Sequence, residues 1–260
     1  GSSGANGTDG PGITSDFYQS WVSTYGSVDP AAGDPRFYKQ NIKPTDECIA
    51  ESQYNIDRGI LRGQQYGLQF AGGAFLKCPD GKFKVGKIYN TRKAAPYPPV
   101  IHTEKIDFTP AGSDYSTGFR VEKYEFSKKS QSGRNFGEAD ISIVRLADIY
   151  LMRAEAKLRK SNDVAGALAD VNKVRTSRTA NMPAGSALST INLDLLLRER
   201  GFELYWEMHR RTDLIRFNKY ESGWTEMSST NKNKRIFPIP QTAIDGASNL
   251  PGYLKQNPGY

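Results

Sequence analysis

Aromatic and polar side chains alternate in a short stretch near the start of the chain. Tyr18 and Trp21 are separated by Gln19 and Ser20, and Tyr25 follows four residues later. A pyranose ring has an apolar C–H face that stacks on Trp or Tyr, while its hydroxyl groups bond polar side chains. This combination of residue types predicts contacts to a sugar ring at Tyr18, Trp21 and Tyr25.

Arg62, Gln65 and Tyr66, within GILRGQQYGLQF, form a second polar and aromatic cluster. Of the 29 aromatic residues (14 Tyr, 12 Phe and 3 Trp), 19 precede Ile141, so both clusters belong to an aromatic-rich first half. The same rings could instead pin long loops to a scaffold, because aromatic residues are commonly buried. We treat the six residues as candidate ligand contacts, with loop anchoring as the alternative for each.

Catalytic motifs are missing from the sequence. It contains no GxSxG, HExxH or GxxxxGK[ST] pattern, and no Cys or Ser nucleophile adjoins either histidine. We expect His102, after a proline-rich loop, to be a surface or loop residue, and His209 to make a structural hydrogen bond. The two cysteines and two histidines lie far apart and fit no zinc pattern. We therefore expect no catalytic residue, no metal site and no cofactor.

Glu199, Glu203 and Glu207 lie four residues apart, as an acidic stripe on one helix would. A glycosidase needs two carboxyl groups that face each other across a sugar, about 5–9 Å apart. Here Arg200 can reach Glu203 and Arg210 can reach Glu207, and such pairing lowers the pKa of a carboxyl group. The stripe is therefore predicted to be structural.

Glycine and proline are concentrated in the first half, where residues 1–140 hold 18 of 25 Gly and 9 of 14 Pro. This predicts loops with short strands, best placed at 82–89 and 119–126. The net charge is +7, but arginines alternate with glutamates and form no basic face, which argues against a nucleic-acid partner. The mean hydropathy is −0.61, and no apolar run approaches 18 residues, which excludes a membrane-spanning helix.

Cys48 and Cys78 are the two cysteines of the chain and would close one loop if they were bridged. An oxidised pair would suit an exported protein, and two unrelated thiols would suit a reducing compartment. The sequence leaves both possibilities open.

From Ile141 the apolar period becomes helical. The predicted stripe consists of Ile143, Leu146, Ala147, Tyr150, Ala154 and Leu158. A break at 161–163 offers Asp163 as the N-cap of the next helix, so 141–178 predicts an antiparallel hairpin of the tetratricopeptide type. A third helix is predicted over 191–217.

We divide the chain into four parts. Residues 1–15 are a tag remnant or disordered leader, and 16–140 are a loop-rich region with short strands. Residues 141–218 form a helical, tetratricopeptide-like scaffold, and the proline-rich 219–260 form an extended tail packed on it. The predicted fold class is mainly α, with a large loop-rich region and minor β structure.

The second half resembles the SusD/RagB family of surface lipoproteins from Bacteroidetes nutrient-uptake systems. The resemblance rests on ISIVRLADIYLMRAEAKLRKSND, LLLRERGFELYWEMHRRTDLIRF, IFPIP and QNPGY in this order, and more loosely on Asp34-Pro35-Arg36-Phe37. Met208 stands where many relatives have Gly, and Arg211 where an aromatic residue is frequent. Because family members begin with a lipidated cysteine and further helical repeats, the chain is expected to be the C-terminal portion of a longer protein.

This resemblance implies a non-catalytic protein at the outer membrane that captures oligosaccharides for polysaccharide utilisation. The implied partner is a SusC-like TonB-dependent transporter, and membrane contact would come only from an N-terminal lipid anchor. Peptide capture is the alternative within the family. A glycoside hydrolase and a purely structural helical-repeat adaptor are the alternatives from other classes.

Overall fold

The computed structural model describes residues 12–37, 42–54, 59–91, 93–106, 117–123, 142–177, 185–225, 227–228, 230–250 and 252–260. Its α-helices are α1 (Ser15–Tyr25), α2 (Pro30–Gly33), α3 (Leu146–Ser161), α4 (Val164–Thr176), α5 (Leu193–Leu204), α6 (Arg210–Arg216) and α7 (Gln241–Gly246). Short 3-10 helices span Glu51–Gln53, Tyr220–Ser222 and Lys232–Arg235.

The strands are β1 (Cys48–Ile49), β2 (Gly59–Leu61), β3 (Gly63–Gln64), β4 (Tyr66–Leu68), β5 (Phe70–Ala71), β6 (Ala74–Phe75), β7 (Phe83–Lys87), β8 (Ile101–His102) and β9 (Arg120–Glu122). Helical residues outnumber strand residues in the described part of the chain. The predicted class, a mainly helical tetratricopeptide-like scaffold with minor β structure, is confirmed.

Helices α3 and α4 form the predicted antiparallel hairpin. Asn162 ends α3 in the left-handed conformation (φ 52°), and the Asp163 side chain accepts a hydrogen bond from the Gly166 N–H (2.8 Å) as the N-cap of α4. Ala154 of α3 and Val171 of α4 are fully buried. The hairpin and its cap were therefore readable from local sequence.

The buried face of α3 differs from the predicted stripe. Ile143 precedes the helix and is 86% exposed, and Leu146, its first residue, is 68% exposed. A core position is taken by Asp148, whose carboxylate pairs with the buried Arg200 of α5 at 2.8 Å. Apolar periodicity misplaced the face because a charged pair occupies part of it.

The prediction of one continuous helix over 191–217 is wrong, because the chain leaves helical geometry between α5 and α6. Trp206 and Met208 have φ angles of 63° and 62°. This left-handed backbone cannot continue a right-handed helix. α5 therefore ends and α6 begins as separate helices, although the residue types favour helix throughout.

The largest sheet of the described residues has three strands, with β7 in the centre. This strand pairs antiparallel with β1 (Cys48 opposite Lys84) and with β4 (Leu68 opposite Val85). The strand predicted at 82–89 is thus confirmed. The strand predicted at 119–126 appears as β9, and residues 124–126 lie outside the described residues. β9 pairs with β2, and β8 pairs with β3.

His102 is placed differently from the prediction. It lies on β8 opposite Gly63 and is buried, whereas the proline-rich segment before it suggested a surface or loop position. Strand pairing with β3, which is distant in sequence, withdraws the side chain from solvent.

Cys48 and Cys78 form a disulfide, which resolves the choice that the sequence left open. The bond joins β1 to the segment that follows β6, and these two segments flank the start of β7. Cys48 lies opposite Lys84, and the Cys78 N–H donates to the carbonyl of Lys82 at 2.8 Å. The bond therefore spans β7.

Two apolar clusters can be defined in the described part of the core, besides the buried residues of the helices. The first consists of Ile13, Trp21, Phe37, Ile60, Phe119 and Phe202. The second consists of Ile42, Ile49 and Val85, with Tyr54, Tyr66, Leu68 and Phe83 packed against it. The first cluster joins α1 to α5, and the second supports the sheet around β7.

The chain divides into two compact units, residues 1–207 and 208–260. Within the second unit, the Arg211 guanidinium lies 4.2 Å from the centre of the Phe237 ring and donates to the carbonyl of Lys234 (2.9 Å). The segment predicted to be an extended tail contains a short helix, α7, which begins directly after Pro240. Within the described part of the chain, no helix combines the length and hydropathy that a membrane crossing requires.

Candidate functional site

Trp21, a predicted sugar contact, lies in the first core cluster and has no exposed surface. Its ring stacks on Phe202 of α5, with centroids 3.8 Å apart, and packs against Phe37 at 5.2 Å. A ring enclosed in this way offers no face to a ligand. Trp21 therefore anchors its segment to the helical scaffold, which was the alternative to a sugar contact.

Tyr18 and Tyr25 lie on the same helix, α1, and are half-buried. The Tyr18 ring packs on Phe119, with centroids 4.8 Å apart. The Tyr25 hydroxyl donates to a carboxylate oxygen of Asp34 (2.7 Å) and accepts a hydrogen bond from Arg175 (3.3 Å). Burial, reinforced by the Asp34 charge, raises the pKa of Tyr25 to about 12. Its polar end therefore belongs to an internal network.

The second predicted cluster is divided by the structure. The Arg62 guanidinium lies 4.8 Å from the centre of the Phe37 ring and 3.3 Å from the Asp29 carboxylate. Gln65 is buried, and its amide group donates to the backbone carbonyl of Arg62 at 3.1 Å. Tyr66 packs on the second core cluster. Arg62 therefore joins Tyr18 and Trp21 around Phe37, whereas Tyr66 lies apart from them.

Arg36 is the central cation of a buried network. Its guanidinium contacts the carboxylates of Asp34 (2.7 Å), Glu199 (3.2 Å) and Glu203 (3.3 Å). Glu199 also pairs with the buried Arg175 at 2.7 Å. Burial works to raise the pKa of Asp34, but the Arg36 charge outweighs it, so that pKa is lowered. Two members of the acidic stripe thus bind an arginine that precedes them by more than 160 residues.

Glu203 and Glu207 receive a second pair of cations. Arg145 pairs with Glu203 and Glu207, each at 2.6 Å, and Lys123 pairs with Glu207. Lys123 also donates to the backbone carbonyls of Glu203 (2.7 Å) and Tyr205 (2.8 Å), which lie where α5 ends. These bonds satisfy carbonyl groups that the broken helix leaves free.

The electrostatics of this end of the stripe follow from burial and pairing. Burial favours a raised pKa for Glu207, but Arg145 and Lys123 outweigh it, and the pKa is lowered. Burial lowers the pKa of Lys123 to about 8, against the opposing charge of Glu207. The stripe is ion-paired as predicted, but its cations come from distant segments. Arg200, which was predicted to reach Glu203, pairs with Asp148. Carboxylates held in this way are poor proton donors at neutral pH.

A different set of aromatic residues faces solvent. Phe70 and Phe75 lie opposite each other on β5 and β6, are 42% and 40% exposed, and have ring centroids 5.4 Å apart. Phe75 contacts Phe83 of β7 at 5.9 Å, and the Lys77 Nζ lies 3.2 Å from the centre of the Phe83 ring. We call these four residues the aromatic hairpin.

The sequence contained a signal for the aromatic hairpin that the analysis of aromatic clusters missed. In Phe-Ala-Gly-Gly-Ala-Phe, a glycine pair lies between two symmetric apolar residues, which predicts a two-residue hairpin turn. Gly72 and Gly73 have φ angles of 59° and 83°, as such a turn requires. Residues placed opposite each other in a hairpin share one face, so the two Phe side chains were predictable neighbours.

Potential metal ligands are dispersed. Among the residues that the structure describes, no three His, Cys, Asp or Glu side chains are grouped so as to hold a metal ion.

Comparison with known proteins finds relatives that are named SusD or SusD-like. The chain is 34% identical over 166 residues to the starch-binding protein SusD of Bacteroides thetaiotaomicron, covering 58% of this chain and 28% of SusD. A laminarin-binding SusD-like protein of known structure is 27% identical, with a TM-score of 0.43 over 59% of this chain and 31% of that chain. A SusD-like protein from Bacteroides fragilis is 24% identical, with a TM-score of 0.44. That match covers 63% of this chain and 35% of the B. fragilis chain.

The chain spans less than a third of the length of the curated relative. The family model, in contrast, matches most of the chain, from residue 29 to residue 260. That match includes the Asp34–Arg36 segment, the α3–α4 hairpin and the acidic stripe of α5. The chain belongs to the SusD family.

Proposed function

We propose that this protein captures oligosaccharides at the outer surface of a Gram-negative cell and passes them to a SusC-like TonB-dependent transporter. The family match over residues 29–260 carries this proposal. SusD homologues are cell-surface lipoproteins of the outer membrane, and family members are binding proteins rather than enzymes. The name of the curated relative, a starch-binding protein, supports a carbohydrate as the ligand.

Capture needs no proton transfer or covalent step. The carboxylates of Asp34, Glu199, Glu203 and Glu207 are buried or nearly so, and each is paired with a cation. A general acid must reach the glycosidic oxygen with a proton to give, and a buried, ion-paired carboxylate has neither access nor proton. The arrangement supports a non-catalytic role.

Three of the predicted contacts remain proposed ligand contacts. Tyr18, Arg62 and Tyr66 have partly exposed side chains that a sugar can reach. Trp21 and Gln65 are buried, and the Tyr25 hydroxyl is bonded to Asp34. We therefore propose a structural role for Trp21, Gln65 and Tyr25.

An array of immobilised oligosaccharides, including fragments of starch and laminarin, tests the proposal. We expect the protein to bind one glycan class and to release no reducing ends during long incubation. Arg62→Ala should weaken that binding. Arg159→Ala, at an exposed arginine of α3 paired with Glu155 (2.8 Å), is the matched control and should bind like the unaltered protein.

Two results would contradict the proposal. Release of reducing ends would show a glycoside hydrolase. Failure to bind any glycan, together with binding in a peptide library, would establish peptide capture instead.

A further inference from the structure

We propose that the aromatic hairpin is a carbohydrate contact of this chain, with Phe70 and Phe75 stacking on the apolar faces of sugar rings. This inference rests on the proposed function and adds to it a binding surface that sequence analysis did not identify. It is carried by the exposure of two adjacent rings on a braced hairpin.

The exposed rings are held in place by their neighbours. Phe75 contacts Phe83 edge to face, and Phe83 packs against the second core cluster. The Leu76 N–H donates to the Gln69 carbonyl and the Lys84 N–H donates to the Leu76 carbonyl, both at 2.9 Å. The segment carrying the rings is thus bonded on both sides.

The disulfide adds a covalent brace. Cys78 lies three residues after Phe75, and its bond to Cys48 ties this segment to β1 on the far side of β7. A binding surface that is fixed before the ligand arrives loses little conformational freedom on binding. The hairpin is therefore preorganised, although it protrudes into solvent.

The chemistry of the surface suits a sugar better than a protein partner. Its exposed apolar residues are Phe70, Phe75 and Leu76, far fewer than a stable protein interface of about 800 Å² per partner requires. Polar side chains follow these rings in the sequence, with Lys77 over the Phe83 ring and Lys82 paired with Asp80 (2.7 Å). A narrow apolar strip with polar neighbours matches a pyranose ring, which has one apolar face and a polar rim.

The position of Lys77 indicates which of the three aromatic rings a ligand can stack on. Its ammonium group lies over the Phe83 ring as a cation–π contact, so that face is occupied. Phe70 and Phe75 remain as the stacking surfaces. Each residue keeps about two fifths of its area exposed.

The test uses the full chain with its disulfide intact and calorimetric titration of the soluble glycan that binds best on the array. The double variant Phe70→Ala/Phe75→Ala should weaken binding about tenfold or more, because a lost stacking contact is worth about one decade in affinity. Phe75→Trp should retain binding. Tyr97→Ala removes an equally exposed aromatic side chain outside the hairpin (49% exposed) and should change affinity less than twofold.

Phe70→Leu/Phe75→Leu is a second variant that keeps apolar packing on Phe83 but has no ring to stack. It should lose affinity like the alanine variant while keeping the thermal stability of the unaltered protein. Binding unchanged in both double variants would overturn the inference and leave the proposed function standing. Failure of the unaltered protein to bind any arrayed glycan would overturn both.

Discussion

Arg36 illustrates how single residues hold this chain together. Its side chain is 8% exposed and contacts three carboxylates, that of the nearby Asp34 and those of Glu199 and Glu203 on the distant α5. Among the described residues, the ion pairs of this network join four cations to four carboxylates: Arg36, Arg175, Arg145 and Lys123 with Asp34, Glu199, Glu203 and Glu207. Buried charges are tolerated when they are paired in this way, and removing one partner leaves the others uncompensated.

Arg36→Met keeps much of the side-chain length and removes the charge. We expect it to lower the free energy of unfolding by about 3–5 kcal/mol, because Asp34 and its neighbouring carboxylates would lose their shared cation. Guanidinium chloride unfolding followed by circular dichroism measures the change. Lys82→Met, which breaks the exposed pair with Asp80 (2.7 Å), is the control and should have no measurable effect. Equal stability of Arg36→Met and the unaltered protein would contradict this account of the network.

At the scale of elements, the end of α5 is a feature that local sequence does not determine. Residue types favour helix through 191–217, but Trp206 and Met208 adopt left-handed backbone there. Met208 has a φ of 62°, a backbone conformation that glycine adopts without steric cost. A residue with a Cβ in this conformation costs about 1 kcal/mol more than glycine.

Met208→Gly should therefore raise the free energy of unfolding, by up to about 1 kcal/mol. The side chain is 88% exposed, so little packing is lost. Met152→Gly is a matched control, because Met152 is also exposed but lies inside α3, where glycine destabilises by about 1 kcal/mol. Midpoints of chemical denaturation compare the two variants. Destabilisation by both would show that the backbone of Met208 is not strained.

Elements with local signals were predictable, and those with distant partners were not. The Asp163 cap, the α3–α4 hairpin and β7 followed from neighbouring residues. The role of Trp21 depends on Phe202, and the end of α5 is stabilised by Lys123, so neither could be read from nearby sequence. In the candidate site, Phe-Ala-Gly-Gly-Ala-Phe was a local signal for a hairpin, but exposure of its rings depends on the whole fold.

At the scale of the whole molecule, acid should weaken the fold through the carboxylates of the network. Asp34 and Glu207 have pKa values below the 3.8 and 4.5 of unfolded carboxyl groups. Between the folded and unfolded pKa values, the unfolded chain binds more protons. The stability from these groups is therefore complete above about pH 4.5 and is lost as the pH falls through the folded pKa values.

Urea unfolding at pH 7, 5, 4 and 3 measures this linkage. The midpoint of the unaltered protein should fall steeply below pH 5. Asp34→Asn should be less stable at pH 7, because Arg36 loses a partner, but its midpoint should fall less between pH 5 and pH 3. If the urea midpoints of the two proteins fell in parallel with pH, Asp34 would have the same pKa in the folded and unfolded states.

The separation of 163 residues between Arg36 and Glu199 has a consequence for synthesis. At about 5–20 residues per second, the ribosome takes roughly 10–30 s to produce the glutamate after the arginine. During that interval Arg36 has neither Glu199 nor Glu203, and Trp21 has no Phe202 to stack on. The α3–α4 hairpin can close as it emerges, but Trp21 and Arg36 reach these contacts only after α5 has been made. The first unit therefore cannot complete this network or this aromatic stack until α5, its last helix, has been synthesised.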